Sequence, residues 1–255
     1  MICKICGHTA NHQFSVKIMN KYSGEFFICP NCKFLFAGNS DWLKEAYNNP
    51  INLTDTGLVY RNISFHRILT VLIYFLFDKK RKFLDYAGGY GMFTRLMRDV
   101  GFNFYWYDPY CSNLLSRGFE YTMDSKEKAE VLTAFEVFEH LENPLSEIEK
   151  MLTYSDNIFF STEVLPMPVP EPDNFWYYGF DHGQHISFYT PYTLSFIAEK
   201  YGLNYYNLGS LHLFTIHKFS LLYLRALKKI TKLLYPIVNM NMNSRTFEDH
   251  LKLKK

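Results

Sequence analysis

The sequence predicts an α/β fold, a doubly wound and mostly parallel sheet preceded by a small metal-binding ribbon, on three observations. From about residue 63, short apolar runs alternate with helical patterns, which is how a parallel sheet with helical crossovers reads. One run ends in a glycine-rich turn that opens a helix, Phe83-Leu84-Asp85-Tyr86-Ala87-Gly88-Gly89-Tyr90-Gly91-Met92-Phe93. Ahead of the first helix, four of the five cysteines stand in two tight pairs.

Residues 1–38 carry the cysteine pairs and form the expected ribbon. Residues 39–62, rich in Asn, Asp, Thr and Tyr without periodicity, read as a linker or irregular lid. The core is expected over 63–217. It opens with a helix over about 63–78, a strand at Lys82–Tyr86, the glycine turn and a helix over about 91–100. Asn103–Tyr107, Ala129–Phe135 and Asn157–Ser161 read as further strands, with a helix near 144–152. Residues 163–190 form a long loop rich in Pro, aromatics and His, and such loops carry function more often than they carry packing. A helix over about 191–201 and two strands within 203–217 follow. Residues 218–255 are expected to hold a basic amphipathic helix over 219–235 and a frayed tail.

Cys3-x-x-Cys6 and Cys29-x-x-Cys32 are separated by 22 residues. Each pair places two thiolates on one ion through a tight turn, and two such turns complete an all-thiolate tetrahedron around zinc at ~2.3 Å. Gly7, Pro30 and Asn31 suit those turns. Four thiolates leave no open position, so the ion is expected to be structural. His8 and His12 are near enough to ligate, but four cysteines already suffice, and Cys111 reads as an ordinary thiol.

The cysteine pattern suits a reducing compartment. The N-terminus shows no basic and apolar secretory pattern, and the longest apolar run, Ile68 to Phe77, is half the ~20 residues that span a bilayer. A cytoplasmic protein is therefore expected. A formal charge of +2 argues against a nucleic-acid coat. With 20 Tyr and 24 Phe, a strongly aromatic core or a cleft with flat walls is expected.

The glycine turn presents backbone amides and a helix N-terminus to a ligand at the strand's carboxyl end. A dinucleotide site would want G-x-G-x-x-G, yet Thr94 stands where the third glycine belongs. Asp85, at the strand end, would repel a pyrophosphate but suits the ammonium of a methionine moiety. The segment resembles the D-x-G-x-G-x-G motif of class I S-adenosylmethionine-dependent methyltransferases, with Ala87 at the first Gly. That resemblance implies a Rossmann-like core with Asp85, Tyr86, Ala87, Gly88, Gly89 and Gly91 around the cofactor. It also implies Asp108, at the tip of the strand ending Tyr105-Trp106-Tyr107-Asp108, on the ribose hydroxyls. Ala134-Phe135-Glu136-Val137-Phe138-Glu139-His140-Leu141-Glu142-Asn143-Pro144 resembles the E-V-x-E-H-x-x-x-P block of the same superfamily, which would set Phe135 and Glu136 beside the methyl group.

The stretch Gln184-His185-Ile186-Ser187-Phe188-Tyr189-Thr190 is similar to the E-H-x-S-x-F-S loop of sugar methyltransferases acting on nucleotide-linked deoxysugars, which also begin with a four-cysteine zinc module. The likeness places His185 and His140 near a sugar. Gln184 stands in place of the acid and the longer members' C-terminal domain has no counterpart here, so an oxygen acceptor is expected rather than carbon. The expected substrate is a sugar nucleotide or glycan precursor, with His185 or His182 as the base that removes the hydroxyl proton.

On the 219–235 helix, Arg225, Lys228, Lys229 and Lys232 fall in one arc, with Tyr223, Leu227, Ile230 and Leu234 opposite. Packing on the sheet explains the pattern, and peripheral contact with an anionic membrane is the alternative. An RNA methyltransferase gripping RNA with the ribbon is a second enzyme reading, although residues 1–38 hold only Lys4, Lys17, Lys21 and Lys33 against Glu25. A non-catalytic zinc-dependent binding module is the third.

Overall fold

The computed structural model describes residues 1–48, 51–122 and 127–254. In chain order the elements are β1 (Asn11–Ile18), β2 (Tyr22–Ile28), β3 (Leu35–Ala37), α1 (Leu43–Ala46), α2 (Leu58–Leu76), β4 (Lys82–Tyr86), α3 (Met92–Val100), β5 (Asn103–Tyr107) and β6 (Val131–Phe135). A 3-10 turn (Phe138–His140), α4 (Pro144–Tyr154), β7 (Asn157–Ser161) and 3-10 turns at Pro172–Asn174 and Trp176–Tyr178 follow. Then come β8 (Ser187–Phe188), α5 (Pro191–Lys200), β9 (Asn204–Asn207), β10 (Leu211–Thr215), α6 (Leu221–Lys229), α7 (Thr231–Met240) and α8 (Thr246–Leu253).

Six strands form one sheet in the order β5-β4-β6-β7-β10-β9. β4 pairs in parallel with β5 on one side and with β6 on the other, while β10 and β9 pair antiparallel. The expected α/β class, with a mixed and mostly parallel sheet, is the one found. Strand order reverses at β4, and open α/β sheets hold ligands beyond the carboxyl ends at such a reversal. Alongside β5, the Trp106 N–H donates to Phe119 O at 2.8 Å and the Tyr121 N–H to Trp106 O at 2.7 Å, a single parallel bridge in place of a further strand.

The chain divides into two compact units, Met1–Asn52 with Phe135–Lys150 and Phe160–Ile216, and Leu53–Ala134 with Met151–Phe159 and His217–Lys255. These boundaries differ from a division at 38, 62 and 217. In the first unit, β1, β2 and β3 are completed by β8 from the long loop, in the order β1-β2-β3-β8. Ribbon and loop therefore share one core, in which Ile18, Phe26, Trp42, Leu165, Tyr178 and Phe188 are buried together. Trp42 lies in the stretch read as a linker, and its Nε1 donates to Gly183 O at 2.8 Å. The apolar face of the three strands, with Phe14 and Phe26 on it, is covered by Tyr178, Phe180 and Phe188 of the long loop.

In the second unit, α2 buries Phe65, Leu69, Val71, Leu72 and Ile73. The C-terminal region departs from the expected single helix and frayed tail in two respects. The 219–235 stretch is two helices, α6 and α7, meeting at Ile230 (φ −91°, ψ 10°). Leu224 and Leu227 are the buried positions of α6, whereas Leu222 and Leu233 stand exposed. The tail does not fray: it folds into α8, whose Asp249 takes both Nε and Nη2 of Arg98 on α3 in a fork-shaped ion pair. Arg98 and Asp249 are 2% and 3% exposed, and a bidentate pair shielded from water orders a terminus that local propensity leaves loose.

Candidate active site

The glycine turn lies at the carboxyl end of β4 in the second unit. Ala87, Gly89 and Gly91 have φ of 54°, 54° and 83°, so three alternate residues take the left-handed conformation. Only Ala87 incurs a steric penalty there, about 1–2 kcal/mol. Gly91 has a second reason to be glycine: a Cβ would meet the Ser116 Oγ at 2.3 Å. No side chain caps α3.

Two carboxylates bracket the turn. Asp85 is buried, accepting the Thr94 hydroxyl at 2.9 Å on one oxygen and the Thr133 hydroxyl at 2.8 Å on the other. Burial pushes its pKa up to about 7, against the pull of the two hydroxyls and with a further push from the charge of Asp108. Asp108 accepts the Gly89 N–H at 2.9 Å on one oxygen and the Tyr110 and Cys111 N–H groups at 2.8 and 2.9 Å on the other. Trp106 Nε1 donates to Gly89 O at 2.9 Å, which fixes the turn from the next strand. Neither Thr94 nor Thr133 is identifiable from the sequence as a partner of Asp85. Thr94 is visible there only as the residue where a third glycine would stand in a dinucleotide site.

The first unit gathers the other residues singled out. Glu136 has φ 52°, its N–H donates to Ser161 Oγ at 2.8 Å, and its carboxylate accepts the Ser161 hydroxyl at 2.6 Å. A bulky residue in that conformation is the kind of strain that concentrates at working sites. The 3-10 turn that follows sets Glu139 and His140 side by side. His140 Nδ1 lies 3.1 Å from Gln184 O and 2.9 Å from the Tyr47 hydroxyl. A carbonyl only accepts, so Nδ1 carries the proton and Nε2 the lone pair. His185 Nδ1 lies 2.6 Å from Tyr177 O, which sets the same tautomer. The His140 and His185 rings are 5.0 Å apart, and His182 stands 4.7 Å from His185.

His182 differs from its neighbours: its Nδ1 accepts the Gln184 N–H at 3.1 Å, which puts the proton on Nε2. Gln184 donates its side-chain amide to Ala46 O at 2.8 Å, so the residue replacing the expected acid is an anchor to the last residue of α1. Burial and the charges of His185 and His182 hold His140 well below the usual imidazole range. Glu139, left out of the sequence-based site, is 0% exposed. Neither of its oxygens makes a hydrogen bond among the described residues. Burial raises its pKa to about 8, and the charge of Glu136 adds to this.

The four paired cysteines lie with their sulfurs within 4.8 Å of one another. Their two turns share one design. The residue after each pair, Gly7 or Lys33, has φ of 74° or 60° and donates its N–H to the first cysteine's carbonyl at 3.0 Å. Cys3 and Cys32 are 3.5 Å apart, and Cys6 and Cys29 are 3.4 Å apart, near the ~3.8 Å edge of a tetrahedron with ~2.3 Å bonds.

A family model described as a methyltransferase domain matches residues 60–208, more than half of the chain. The chain belongs to that methyltransferase-domain family. No curated protein matches it. Solved structures similar to it include CalO1, a methyltransferase in calicheamicin biosynthesis, at 12% identity and TM-score 0.44, covering 63% of this chain and 56% of that one. An O-methyltransferase family 2 protein from Planctomyces limnophilus, complexed with apigenin, has 14% identity and TM-score 0.46, covering 68% and 64%. Mitomycin 7-O-methyltransferase has 14% identity and TM-score 0.41, covering 69% and 60%. This chain spans 56% and 60% of the length of CalO1 and of the pyocyanin biosynthetic protein PhzM.

Proposed function

We propose that the chain transfers a methyl group from S-adenosylmethionine to a hydroxyl oxygen of a small molecule, a sugar nucleotide or glycan precursor. The observation that carries the cofactor reading is the carboxylate of Asp108 on the Gly89 amide. An amide that would otherwise hold a phosphate is already paired with an anion, and a second carboxylate, Asp85, backs the turn. Such a turn rejects pyrophosphate and suits a cationic amino acid with a ribose. In this reading Asp85 and the 86–91 backbone hold the methionine end, Asp108 the ribose, and Phe135 and Glu136 border the reacting group.

When bound, the co-substrate supplies a methyl carbon made electrophilic by its sulfonium. His185 is the proposed base, because the Tyr177 carbonyl keeps its proton on Nδ1 and directs the Nε2 lone pair to take the acceptor's hydroxyl proton. His140 and His182 complete the histidine cluster and orient the acceptor. Calorimetry with S-adenosylhomocysteine tests the cofactor half: micromolar binding supports it, and no heat at millimolar ligand sinks it. Zinc in the cysteine tetrahedron is proposed as structural, since four thiolates fill the shell and its 3.4–3.5 Å sulfur pairs suit that ion.

Exposed Leu222, Leu233 and Met240 (79%, 68% and 85%), on the helices that carry Arg225, Lys229 and Lys232, support peripheral contact with an anionic membrane as a further part of the proposal. Co-sedimentation with phosphatidylserine vesicles, lost in Leu222→Ser/Leu233→Ser, is the expected result. Among the described residues no helix is long and apolar enough to cross a membrane.

A further inference from the structure

Glu139 is a fully buried carboxylate without a hydrogen-bond partner among the described residues. An ionised group left so is costly unless something else compensates it. The Tyr177 and Thr162 hydroxyls favour its charged form, but they lie 3.4 Å from each other and neither bonds it. What stands beside it is a pair of imidazoles. A Glu139 oxygen and one nitrogen from each of His140 and His185 all lie within 4.8 Å of one another, and His140 Nε2 is 3.9 Å from Glu139 Oε1.

Both rings are turned alike. Each Nδ1 faces a backbone carbonyl, Gln184 O for His140 and Tyr177 O for His185, so each lone pair is on Nε2. Metal-ligating histidines almost always donate their other N–H to a carbonyl or carboxylate in this way, which fixes the tautomer and the ring plane. We propose that Glu139, His140 and His185 form a binding site for one divalent transition-metal ion, held by a Glu139 oxygen and the two Nε2 atoms. Two imidazoles and one carboxylate on one side of an ion leave its remaining positions for oxygen ligands such as an acceptor's hydroxyl. Donors at ~2.1 Å around a tetrahedral ion lie ~3.4 Å apart, close to the 3.9 Å between His140 Nε2 and Glu139 Oε1.

The site stands on the geometry of the cluster and does not rest on methyl transfer. It does compete with one element of that reading: His185 Nε2 is either a base or a ligand. With the ion in place, the metal lowers the pKa of a bound hydroxyl, as it does for water.

The test uses full-length protein with zinc saturating the cysteine site, titrated with manganese(II), which thiolates hold poorly. One manganese per chain is expected, with electron–nuclear double resonance showing nitrogen couplings from two imidazoles in the unmodified protein. His140→Ala and His185→Ala should each remove one coupling. Glu139→Gln should weaken binding by more than the roughly 10–100-fold typical of outer-shell changes. Absence of a second metal in the unmodified protein, or manganese without nitrogen coupling, overturns the site and leaves His185 as the base. Failure to bind S-adenosylhomocysteine, with manganese still held, overturns the methyltransferase reading alone.

Discussion

Asp85 and Glu139 are both buried carboxylic acids with raised pKa values, about 7 and about 8, and burial is the first cause in each. Their partners differ. Asp85 has a threonine hydroxyl on each oxygen, whereas Glu139 has no hydrogen bond among the described residues. Where burial comes with partners, the carboxyl is part of the architecture, here the floor of the glycine turn. Where it comes without them, folding has buried a polar group that no hydrogen bond from the described residues satisfies, which leaves it available to a partner from outside the chain.

Four variants probe that difference, by what they move as much as by how far. His185→Ala, beside Glu139, is expected to lower turnover about 10²–10⁴-fold, the span for a lost general base. Its affinity for S-adenosylhomocysteine should stay within a factor of three of wild type, since the residue is assigned to the acceptor. Asp108→Ala should do the opposite. The loss of a charge-assisted hydrogen bond to the turn costs about 1.5–3 kcal/mol, read by calorimetry as cofactor binding at least tenfold weaker. A turnover defect at saturating cofactor would blur the two regions into one.

Stability separates the two acids directly. Asp85→Ala takes the acceptor from the buried Thr94 hydroxyl and leaves Thr133 only the longer contact with Leu84 O at 3.4 Å, and should lower the unfolding free energy by about 2–4 kcal/mol in urea titration. Glu139→Gln breaks no such bond and is expected to leave stability unchanged or raise it by up to about 1 kcal/mol. If Glu139→Gln proved the worse of the two, the distinction between them would be wrong.

Asp85 also gives the pH dependence a sign. Its folded pKa, about 7, lies above the value of 3.8 for an unperturbed side chain, so the folded state binds more protons between those limits. Its contribution to stability is present below pH 4 and is lost as pH rises toward 7. Glu139, raised from 4.5 to about 8, adds to the same fall, so unfolding measured across that window should show a falling limb that Asp85→Asn makes shallower. The smallest expected effect is at Ala87. Ala87→Gly relieves a left-handed alanine but adds freedom to the unfolded chain, for a net gain of about 0.5 kcal/mol.

Much of the turn was legible because it is local. Strand, glycines, Asp85 and helix occupy consecutive residues, and the left-handed positions need small side chains that stand out in a sequence. Asp108 was legible for the same reason, as a strand-end acid. The resemblance to sugar methyltransferases set His140 and His185 near one substrate, but nothing in the spacing of His140, His182 and His185 along the chain shows them as a cluster. Residues 138–140, 177 and 182–185 meet only through contacts that join distant stretches, such as the Ile186 N–H to Glu139 O at 2.8 Å. Glu139 sits inside the E-V-x-E-H block, where the local pattern does not distinguish a buried acid from an exposed one.

By itself the sequence determined what depends on neighbours along the chain: the α/β alternation, the glycine turn and the two cysteine pairs. Hydrophobic period, turn chemistry and ligand spacing act over a few residues and leave their mark there. Tertiary structure alone decided that ribbon and loop share a sheet through β8, that the tail is pinned by Arg98 and Asp249, and that Glu139 faces two imidazoles without a hydrogen bond among the described residues. Burial and pairing depend on which distant groups exclude water together, and no local pattern records that.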